Sequence, residues 1–286
     1  MIAPVEPRRR AGWGQRILTV LLAITILGYA GVAGHLYFNQ SSMVFRPKQG
    51  LTTTPAAWGM GYEELHFESE GHRLHGWWIP HAPERPVILF MHGNASVISG
   101  LKNHVELFRR LGLGVMLFDY RGYGLSEGEP SEAGVYADSE AAWNHLTRKL
   151  GIDAQRILFY GHSLGGGAAT WLALRHAPRA LILEGTFLSV PAVGEDRYPF
   201  LPINLLSRIR FDNGSRIGQI HVPLMILHSR DDTVIIPRHG LALFAAANEP
   251  KTFQETRGSH NTSVNEGDGA VEAGLRRFVA EVWKGN

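Results

Sequence analysis

Residues 161–166, Gly161-His162-Ser163-Leu164-Gly165-Gly166, hold a serine between two glycines in the pattern G-x-S-x-G. The apolar run Ile157–Tyr160 precedes the pattern, and a helix-like stretch, Ala168–His176, follows it. Between a strand and a helix this pattern is typical of a nucleophile elbow, a sharp turn that strains the serine backbone and lifts its hydroxyl clear of the sheet. Both glycines are needed because a Cβ there would collide with neighbouring backbone. The sequence therefore predicts Ser163 as a nucleophile.

A base and an acid follow the serine along the chain, each after its own apolar run. A serine hydroxyl needs a base to take its proton, and His260 lies in a loop after the last expected strand. A carboxylate must then hold the imidazole in the correct tautomer. Asp232, just past an apolar run, is the favoured acid, and the adjacent Asp231 and the strand-terminal Glu184 are the alternatives. The chain order Ser, Asp, His is that of an α/β-hydrolase.

Two backbone N–H groups are expected to converge as an oxyanion hole near the nucleophile. One belongs to the residue directly after the serine, Leu164. The second is expected from the loop that follows the early apolar run Val87–Met91, and Asn94 is its expected donor through the main chain.

Composition and charge narrow the classes of function. Residues 1–16 hold four arginines and one glutamate in a chain of formal net charge +2, so the rest of the chain offers no basic surface for nucleic acid. The absence of cysteine excludes disulfides and a cysteine nucleophile. The histidines show no metal-ligand spacing such as H-E-x-x-H, so we predict neither a metal nor another cofactor.

The segment 17–38 is predicted to be a transmembrane anchor. Residues 17–45 contain no Asp, Glu, Lys or Arg, and about 20 apolar residues let a helix cross a hydrocarbon core about 30 Å thick. Four arginines precede this segment and only Arg46 and Lys48 closely follow it. The positive-inside rule then predicts a single-pass protein with a cytoplasmic N-terminus and a non-cytoplasmic catalytic domain. A cleaved signal peptide is the alternative, although the stretch is long and lacks a clear A-x-A site.

The chain divides into a basic tail at 1–16, the anchor, a juxtamembrane connector at 39–62 and a catalytic domain at 63–286. Alternating residues at 63–69 and 73–79 predict an opening antiparallel hairpin. Apolar strands then alternate with helical stretches, which predicts an α/β fold with a mostly parallel, doubly wound sheet.

The segment at about 185–220 is too long and too rich in proline and aromatic residues for a simple connection. We interpret it as a small cap over the site, with Phe187, Tyr198 and Phe200 as candidate pocket residues. The alternative is that these side chains only seal the cap onto the domain.

Three motifs together resemble those of a known family. They are His92-Gly93-Asn94-Ala95, the glycine-flanked serine at 161–166, and Asp119-Tyr120-Arg121-Gly122-Tyr123-Gly124-Leu125-Ser126-Glu127-Gly128. The chain resembles the membrane-anchored α/β-hydrolase-domain proteins, which include protein depalmitoylases and lysophospholipase-like esterases, over about residues 37–283. The resemblance implies Ser163, Asp232 and His260 as a catalytic triad. One departure is His228-Ser229, where the family usually has His-Gly.

The resemblance, the cap and the anchor favour a serine hydrolase of carboxylic esters or thioesters that acts on a small-molecule or acyl-lipid substrate at a membrane. A peptidase or amidase with the same triad is the alternative. A non-catalytic membrane scaffold is disfavoured because all three catalytic positions are filled. The sequence does not indicate an oligomeric state.

Overall fold

The computed structural model describes residues 12–266 and 269–284, so most of the basic tail predicted at 1–16 and the last two residues of the predicted catalytic domain lie outside the described residues. The first helix, α1, runs from Trp13 to Val44 and has 32 residues. At 1.5 Å per residue it is about 48 Å long. By length and apolar composition it is a candidate membrane span, and it extends beyond both ends of the predicted anchor.

An eight-stranded sheet follows α1. Its strands are β1 (Glu63–Ser69), β2 (His72–Ile79), β3 (Val87–Met91), β4 (Gly114–Phe118), β5 (Ile157–His162), β6 (Ala180–Glu184), β7 (Leu224–Ser229) and β8 (Lys251–Thr256). The spatial order is β1-β2-β4-β3-β5-β6-β7-β8. β2 pairs antiparallel with β1 and β4, and every other neighbouring pair is parallel. The predicted opening hairpin and mostly parallel sheet are confirmed.

Helices cover both faces of the sheet. They are α2 (Lys102–Arg110), α3 (Glu132–Asn144), α4 (Gly165–Ala173), α8 (Arg238–Ala246), the short α9 (Ser263–Glu266) and α10 (Ala270–Lys284). α2 and α10 bury apolar side chains in one core cluster, and α3, α4 and α8 bury theirs in the other. Strands β3 to β7 are buried along their whole lengths, because continuous apolar strands are covered on both faces in parallel sheets.

The predicted cap is present as three short helices between β6 and β7: α5 (Val190–Arg197), α6 (Ile203–Leu206) and α7 (Asn213–Ile217). It follows the carboxyl end of β6, and ligands of open α/β sheets bind at that edge. The connection between two adjacent parallel strands thus carries the cap to the edge where β5 delivers Ser163.

The connector predicted at 39–62 is helical at its start, since α1 continues to Val44, and the remainder packs on the domain. Phe45 is buried, with its ring centroid 6.1 Å from that of Phe211 in the cap segment. Farther along, the Gly50 N–H donates to Gly124 O and the Gly124 N–H donates to Lys48 O, both at 2.8 Å. The connector is therefore held against the loop after β4 by backbone hydrogen bonds.

Candidate active site

Ser163 lies in the turn between β5 and α4 with a left-handed backbone, φ +53°. Such a conformation costs a non-glycine residue about 1–3 kcal/mol unless its surroundings enforce it. Here the Ser163 N–H donates to Glu184 O at 2.9 Å, and the Thr186 hydroxyl donates to Ser163 O at 2.8 Å. The carboxyl end of β6 and the residues just after it thus hold the strained turn, and Thr186 is a contributor that the sequence pattern did not reveal.

The two glycines of the G-x-S-x-G pattern are packed against backbone. A Cβ on Gly161 would lie 2.7 Å from Gly165 O, and one on Gly165 would lie 2.0 Å from Met91 O. Any other residue at either position would push the turn away from β3 or from the start of α4. The steric reason given for the pattern therefore holds in the folded chain.

The side chains of Ser163, His260 and Asp232 meet at the carboxyl edge of the sheet. His260 Nε2 lies 2.8 Å from Ser163 Oγ, and His260 Nδ1 lies 2.6 Å from Asp232 Oδ2. All three residues are buried, with 9%, 8% and 3% of their surface exposed for Ser163, His260 and Asp232. An unbroken hydrogen-bond chain thus joins hydroxyl, imidazole and carboxylate, although 97 residues separate the serine from the histidine.

Asp232 is held in an acceptor position by the turn after β7. Its Oδ1 accepts from the N–H groups of Val234 at 2.8 Å and Ile235 at 2.9 Å. Burial alone would raise its pKa, but the hydrogen bond and charge of His260 and the two backbone N–H groups outweigh burial and lower the pKa below its ordinary value. Asp232 therefore carries its negative charge at neutral pH, as a carboxylate that stabilises an imidazolium must.

The two alternative acids face other partners. The Asp231 carboxylate accepts from Gly258 N–H at 3.3 Å and lies near Arg230 and Arg257. Glu184 is buried beneath the site among side chains that occupy both its oxygens. Its contacts are His104 Nε2 at 2.9 Å, Tyr160 OH at 2.8 Å and Ser263 Oγ at 2.7 Å.

Glu184 is an ionised group in the core below His260. Burial alone would raise its pKa, but the His104 ring and the Ser263 hydroxyl lower the pKa far below its ordinary range. Ser263 follows His260 by three residues, so its hydrogen bond to Glu184 ties the histidine loop to β6. Burial lowers the pKa of the neighbouring His162 to about 4, so this ring is neutral.

The loop after β3 runs directly against the serine. A Cβ on Gly93 would lie 3.1 Å from Ser163 Cβ. The next residue, Asn94, uses its side-chain Oδ1 to accept from the N–H groups of Ala95 and Arg46, both at 2.8 Å, and from Tyr123 OH at 2.9 Å. The Asn94 side chain thus fixes its own loop, the connector after α1 and the loop after β4 in one place, a role that the sequence did not indicate.

The two expected oxyanion donors are the backbone N–H groups of Leu164 and Asn94. Leu164 is the residue that precedes the first turn of α4, and it is buried. Within the described residues, neither the Leu164 N–H nor the Asn94 N–H donates to another protein atom. Both N–H groups are therefore available to a bound oxygen, and the N-terminus of α4 adds its positive partial charge there.

His92 and Asp119 form a buried pair behind the loop that follows β3. His92 Nε2 lies 3.5 Å from Asp119 Oδ1, which accepts from Ile98 N–H at 3.0 Å. Burial lowers the pKa of His92 to about 4 and raises the pKa of Asp119 to about 7. Between about pH 4 and pH 7 both groups are mostly uncharged, and this neutral pair lies beside the loop that carries Asn94.

One space lies beside the site and another lies between α1 and the cap. A polar cavity of about 470 Å³ is lined by Asn94, His162 and Asn261, which neighbour the serine and the histidine. A second, apolar cleft of about 110 Å³ lies between α1 and the cap, and Tyr198 lines it. The other two candidate pocket residues lie elsewhere: Phe187 is buried and Phe200 is 66% exposed at the tip of the cap.

One group in the described part of the chain could hold a metal ion. Glu64, His66 and His75 on β1 and β2 offer ligand atoms within 4.8 Å of one another. Three strands, β4, β3 and β5 in spatial order, separate this hairpin from β6, so the group stands apart from the hydrogen-bonded triad. The expectation that no metal takes part in the chemistry remains a prediction.

The fold is that of hydrolases of known structure. An esterase of Pyrococcus furiosus superposes with a TM-score of 0.69 over 83% of this chain and 97% of its own, at 19% sequence identity. The family model described as serine aminopeptidase, S33, matches residues 82–211. These residues include the loop after β3, the motif at 119–128 and the nucleophile elbow.

Two relatives match along most of the chain. An uncharacterized membrane protein of Saccharomyces cerevisiae is 29% identical over 91% of this chain and 94% of its own, and together with α1 it supports membrane association. The Arabidopsis thaliana alpha/beta hydrolase domain-containing protein WAV2 is 34% identical over 79% of this chain and 82% of its own. With this similarity, the sheet topology and the elbow geometry, the chain belongs to the alpha/beta hydrolase domain-containing proteins.

Proposed function

We propose that the chain is a serine hydrolase of carboxylic esters or thioesters with Ser163 as nucleophile, His260 as general base and Asp232 as the carboxylate that orients it. The observation that carries this proposal is the pair of hydrogen bonds that His260 makes, 2.8 Å to the serine hydroxyl and 2.6 Å to the aspartate. A base within hydrogen-bond reach of the nucleophile and itself oriented by a third group is the arrangement that activates a serine.

In the proposed reaction Ser163 Oγ attacks the acyl carbon while its proton passes to His260 Nε2. The negative charge that develops on the acyl oxygen is received by the N–H groups of Leu164 and Asn94. The imidazolium then gives its proton to the departing alcohol or thiol, which leaves an acyl-enzyme. Water, deprotonated by His260, attacks the acyl carbon and releases the carboxylic acid, and the proton returns to Ser163.

A lipid-like or acylated substrate is supported by the surroundings of the site. The apolar anchor leads through the connector to the Asn94 side chain, and the cap carries exposed apolar side chains at Phe200 and Leu205. The polar cavity beside Asn94 and His162 is large enough, at about 470 Å³, for the polar portion of such a molecule.

A fluorophosphonate probe tests the assignment because it reacts with activated serines. The wild-type chain should be labelled and Ser163→Ala should not, while Ser215→Ala, which removes an exposed hydroxyl in the cap, should be labelled like the wild type. Labelling that persists in Ser163→Ala would refute the nucleophile. A wild-type chain that takes up no probe and hydrolyses no acyl ester would favour the non-catalytic scaffold.

A peptidase is the second candidate because the matching family model describes a serine aminopeptidase. An aminopeptidase must bind the positive α-amino group of its substrate, and a carboxylate suits that task. None of the described residues that line the cavity beside Asn94 is acidic, and the nearby Glu184 carboxylate is occupied by its own partners. Turnover of p-nitrophenyl esters alongside aminoacyl p-nitroanilides would decide, and a preference for the anilides would overturn the ester assignment.

The proposed topology has the N-terminus in the cytoplasm and the catalytic domain on the other side, because four arginines precede the apolar segment. The natural chain has no cysteine, so a Leu174→Cys variant carries a single reporter on the exposed end of α4. A membrane-impermeant maleimide should label it in intact cells as fully as after permeabilisation. Labelling only after permeabilisation would place the domain in the cytoplasm.

A further inference from the structure

Helix α1 has two different parts. From residue 13 to residue 32 its surface is exposed on every side, whereas from residue 33 onward one face is partly covered. The exposed part has 20 residues, a length of about 30 Å, which equals the thickness of a hydrocarbon core. This division favours residues 13–32 as the span, with Arg16 in the first turn reaching the headgroups, shifted toward the N-terminus from the predicted 17–38. Residues 33–44 then belong to the folded domain.

The cap is attached along α1 by polar contacts. Tyr29 OH donates to Phe200 O at 3.2 Å. Toward the end of the helix, Gln40 Nε2 donates to Leu206 O at 2.7 Å, and Gln40 Oε1 accepts from Arg208 N–H at 2.6 Å. From residue 29 to residue 40 the helix rises about 16 Å. The cap therefore follows α1 for two to three turns and reaches back to a residue inside the proposed lipid span.

The tip of the cap is apolar and exposed at the depth of that span. Phe200 is 66% exposed there, and Leu205, which is 85% exposed, lies nearer the domain beside Leu206 and its contact with Gln40. Large apolar side chains that project beside a membrane helix are stabilised by burial in the boundary between headgroups and acyl chains. Because Phe200 contacts Tyr29, which lies within residues 13–32, a bilayer positioned on those residues covers the cap tip.

An apolar cleft of about 110 Å³ lies behind this tip, between the last turns of α1 and the cap. Leu36, Met43 and Val44 form the helix side. Val190, Tyr198 and Ile203 form much of the cap side. A narrow space with such walls holds a few methylene groups of an unbranched hydrocarbon chain, with the rest of the chain in the lipid, and excludes a polar headgroup.

Both walls of the cleft lead to the catalytic edge. Val44 is two residues before Arg46, whose N–H donates to Asn94 Oδ1 at 2.8 Å, and two residues span at most about 7 Å. On the other wall, Val190 begins α5 only a few residues after Gly185, where a Cβ would lie 3.4 Å from the His260 ring. Both walls of the cleft are thus joined to the catalytic edge by short segments of chain.

We propose that the anchor helix is one wall of an acyl-chain subsite: the cap tip enters the outer part of the bilayer beside α1, and the cleft between them takes one acyl chain of a membrane-resident substrate from the lipid. This inference rests on the proposed function and adds the acyl-chain subsite and the route by which the substrate reaches it. The carbonyl carbon of the substrate then reaches Ser163, while the polar portion of the substrate remains in the cavity beside Asn94.

Filling the cleft from the anchor side tests the subsite. The Met43→Trp variant is made in the full-length protein and reconstituted in phosphatidylcholine vesicles. The measured quantity is kcat/KM for p-nitrophenyl palmitate divided by kcat/KM for p-nitrophenyl butyrate. This ratio should fall by at least about tenfold, the scale of steric exclusion from an apolar pocket. Ser42→Trp is the matched control, because Ser42 is the adjacent, exposed helix residue outside the cleft. Its ratio should equal that of the wild type.

The outcomes separate the two proposals. An unchanged ratio in Met43→Trp, or an equal fall in Ser42→Trp, would overturn the acyl subsite while leaving the serine hydrolase intact. A wild-type chain that takes up no fluorophosphonate and hydrolyses neither ester would instead remove the proposed function, which Met43→Trp does not address.

The position of the cap tip is tested separately with single-cysteine variants. An environment-sensitive fluorophore on Phe200→Cys should be quenched by nitroxide-labelled lipid and shielded from iodide in the same vesicles. The same fluorophore on Leu174→Cys, exposed at the far end of α4, should show the opposite pattern. Equal iodide quenching at both positions would place the cap tip in water and overturn the bilayer contact.

Discussion

The carboxyl edge of the sheet and the region between cap and anchor are built in different ways. At the edge, Ser163, His260 and Asp232 are buried and joined by hydrogen bonds of 2.6–2.8 Å. The left-handed backbone conformation of Ser163 is held by neighbouring strands. Where the cap lies against the anchor, the cap helices are short. Side chains of the cap such as Phe200 and Leu205 are exposed.

The difference indicates that the sheet edge and the cap region have different roles, one in catalysis and the other in substrate binding. The geometry needed to activate a hydroxyl must be held within fractions of an ångström, and a sheet buried on both faces provides that rigidity. A surface that receives a flexible apolar chain needs only the right width and polarity. We therefore expect substitutions at the edge to change kcat by orders of magnitude and substitutions in the cap to change substrate preference or affinity.

The largest effect should come from the acid. Asp232→Asn cannot hold the proton on His260 Nδ1 in the required way, and the corresponding change in a known triad costs about 10⁴-fold in kcat. Asp231→Asn is a matched control, since its carboxylate faces Gly258 and two arginines, and it should stay within about threefold of the wild type because exposed ion pairs contribute little. Ester hydrolysis by both purified variants measures the difference, and a greater loss in Asp231→Asn would reverse the assignment.

The next effect should come from the Asn94 side chain. Asn94→Ala keeps the backbone N–H but removes the acceptor for Ala95, Arg46 and Tyr123. We expect kcat to fall by about 10–100-fold, less than the 10²–10³-fold loss of an oxyanion donor itself. Tyr123→Phe removes only one of the three contacts and should cost less. A fall in kcat/KM that arises wholly from KM would show that Asn94 acts on binding alone.

The pH dependence of stability should reveal the buried carboxyl behind this loop. The folded pKa of Asp119 is raised to about 7 from 3.8 in the unfolded chain, so its favourable contribution is greatest below pH 3.8 and is lost as pH rises to 7. Between pH 5 and 7 the loss amounts to up to about 2 kcal/mol. Asp119→Asn keeps an acceptor for Ile98 but cannot ionise. Its thermal midpoint relative to the wild type, in detergent, should therefore rise between these pH values, and a parallel pH profile would contradict the prediction.

The smallest effect should come from the contact that joins the cap to α8. His239 Nε2 lies 2.8 Å from Asp196 Oδ2, and Arg238 also contacts this carboxylate. Burial lowers the pKa of His239 to about 4, so the ring is neutral and the contact is a hydrogen bond rather than a full ion pair. Asp196→Asn should change KM by no more than about threefold and stability by less than about 1 kcal/mol. A loss of kcat comparable to that of Asn94→Ala would show that the cap shapes the catalytic edge itself.

Local patterns were sufficient for most of the sheet. β3 has the predicted bounds, because five consecutive apolar residues between Pro86 and His92 leave little freedom in where the strand begins and ends. β5 continues two residues beyond its apolar run to His162, since Gly161 and His162 still pair with β6. Helix α3 is α-helical only to Asn144 and continues into a π-helical turn at His145–Lys149, a change in hydrogen bonding that side-chain periodicity does not register.

The C-terminal end of the anchor helix α1 could not be predicted from local sequence patterns. Apolar composition identified a span near the N-terminus, and the length needed to cross a bilayer predicted that the connector begins at Asn39. α1 continues to Val44 because Gln40 has partners in the cap more than 160 residues away. No window of neighbouring residues contains that information.

The sequence by itself determined the strand order along the chain, the elbow around Ser163 and the existence of a later acid and base, because these depend on local periodicity and on steric limits that glycine alone meets. The tertiary structure decided which of two adjacent aspartates faces His260, what the Asn94 side chain holds, and how the cap lies on the anchor. Those outcomes depend on the direction of a turn and on contacts between distant segments, which only the packed sheet and its helices set.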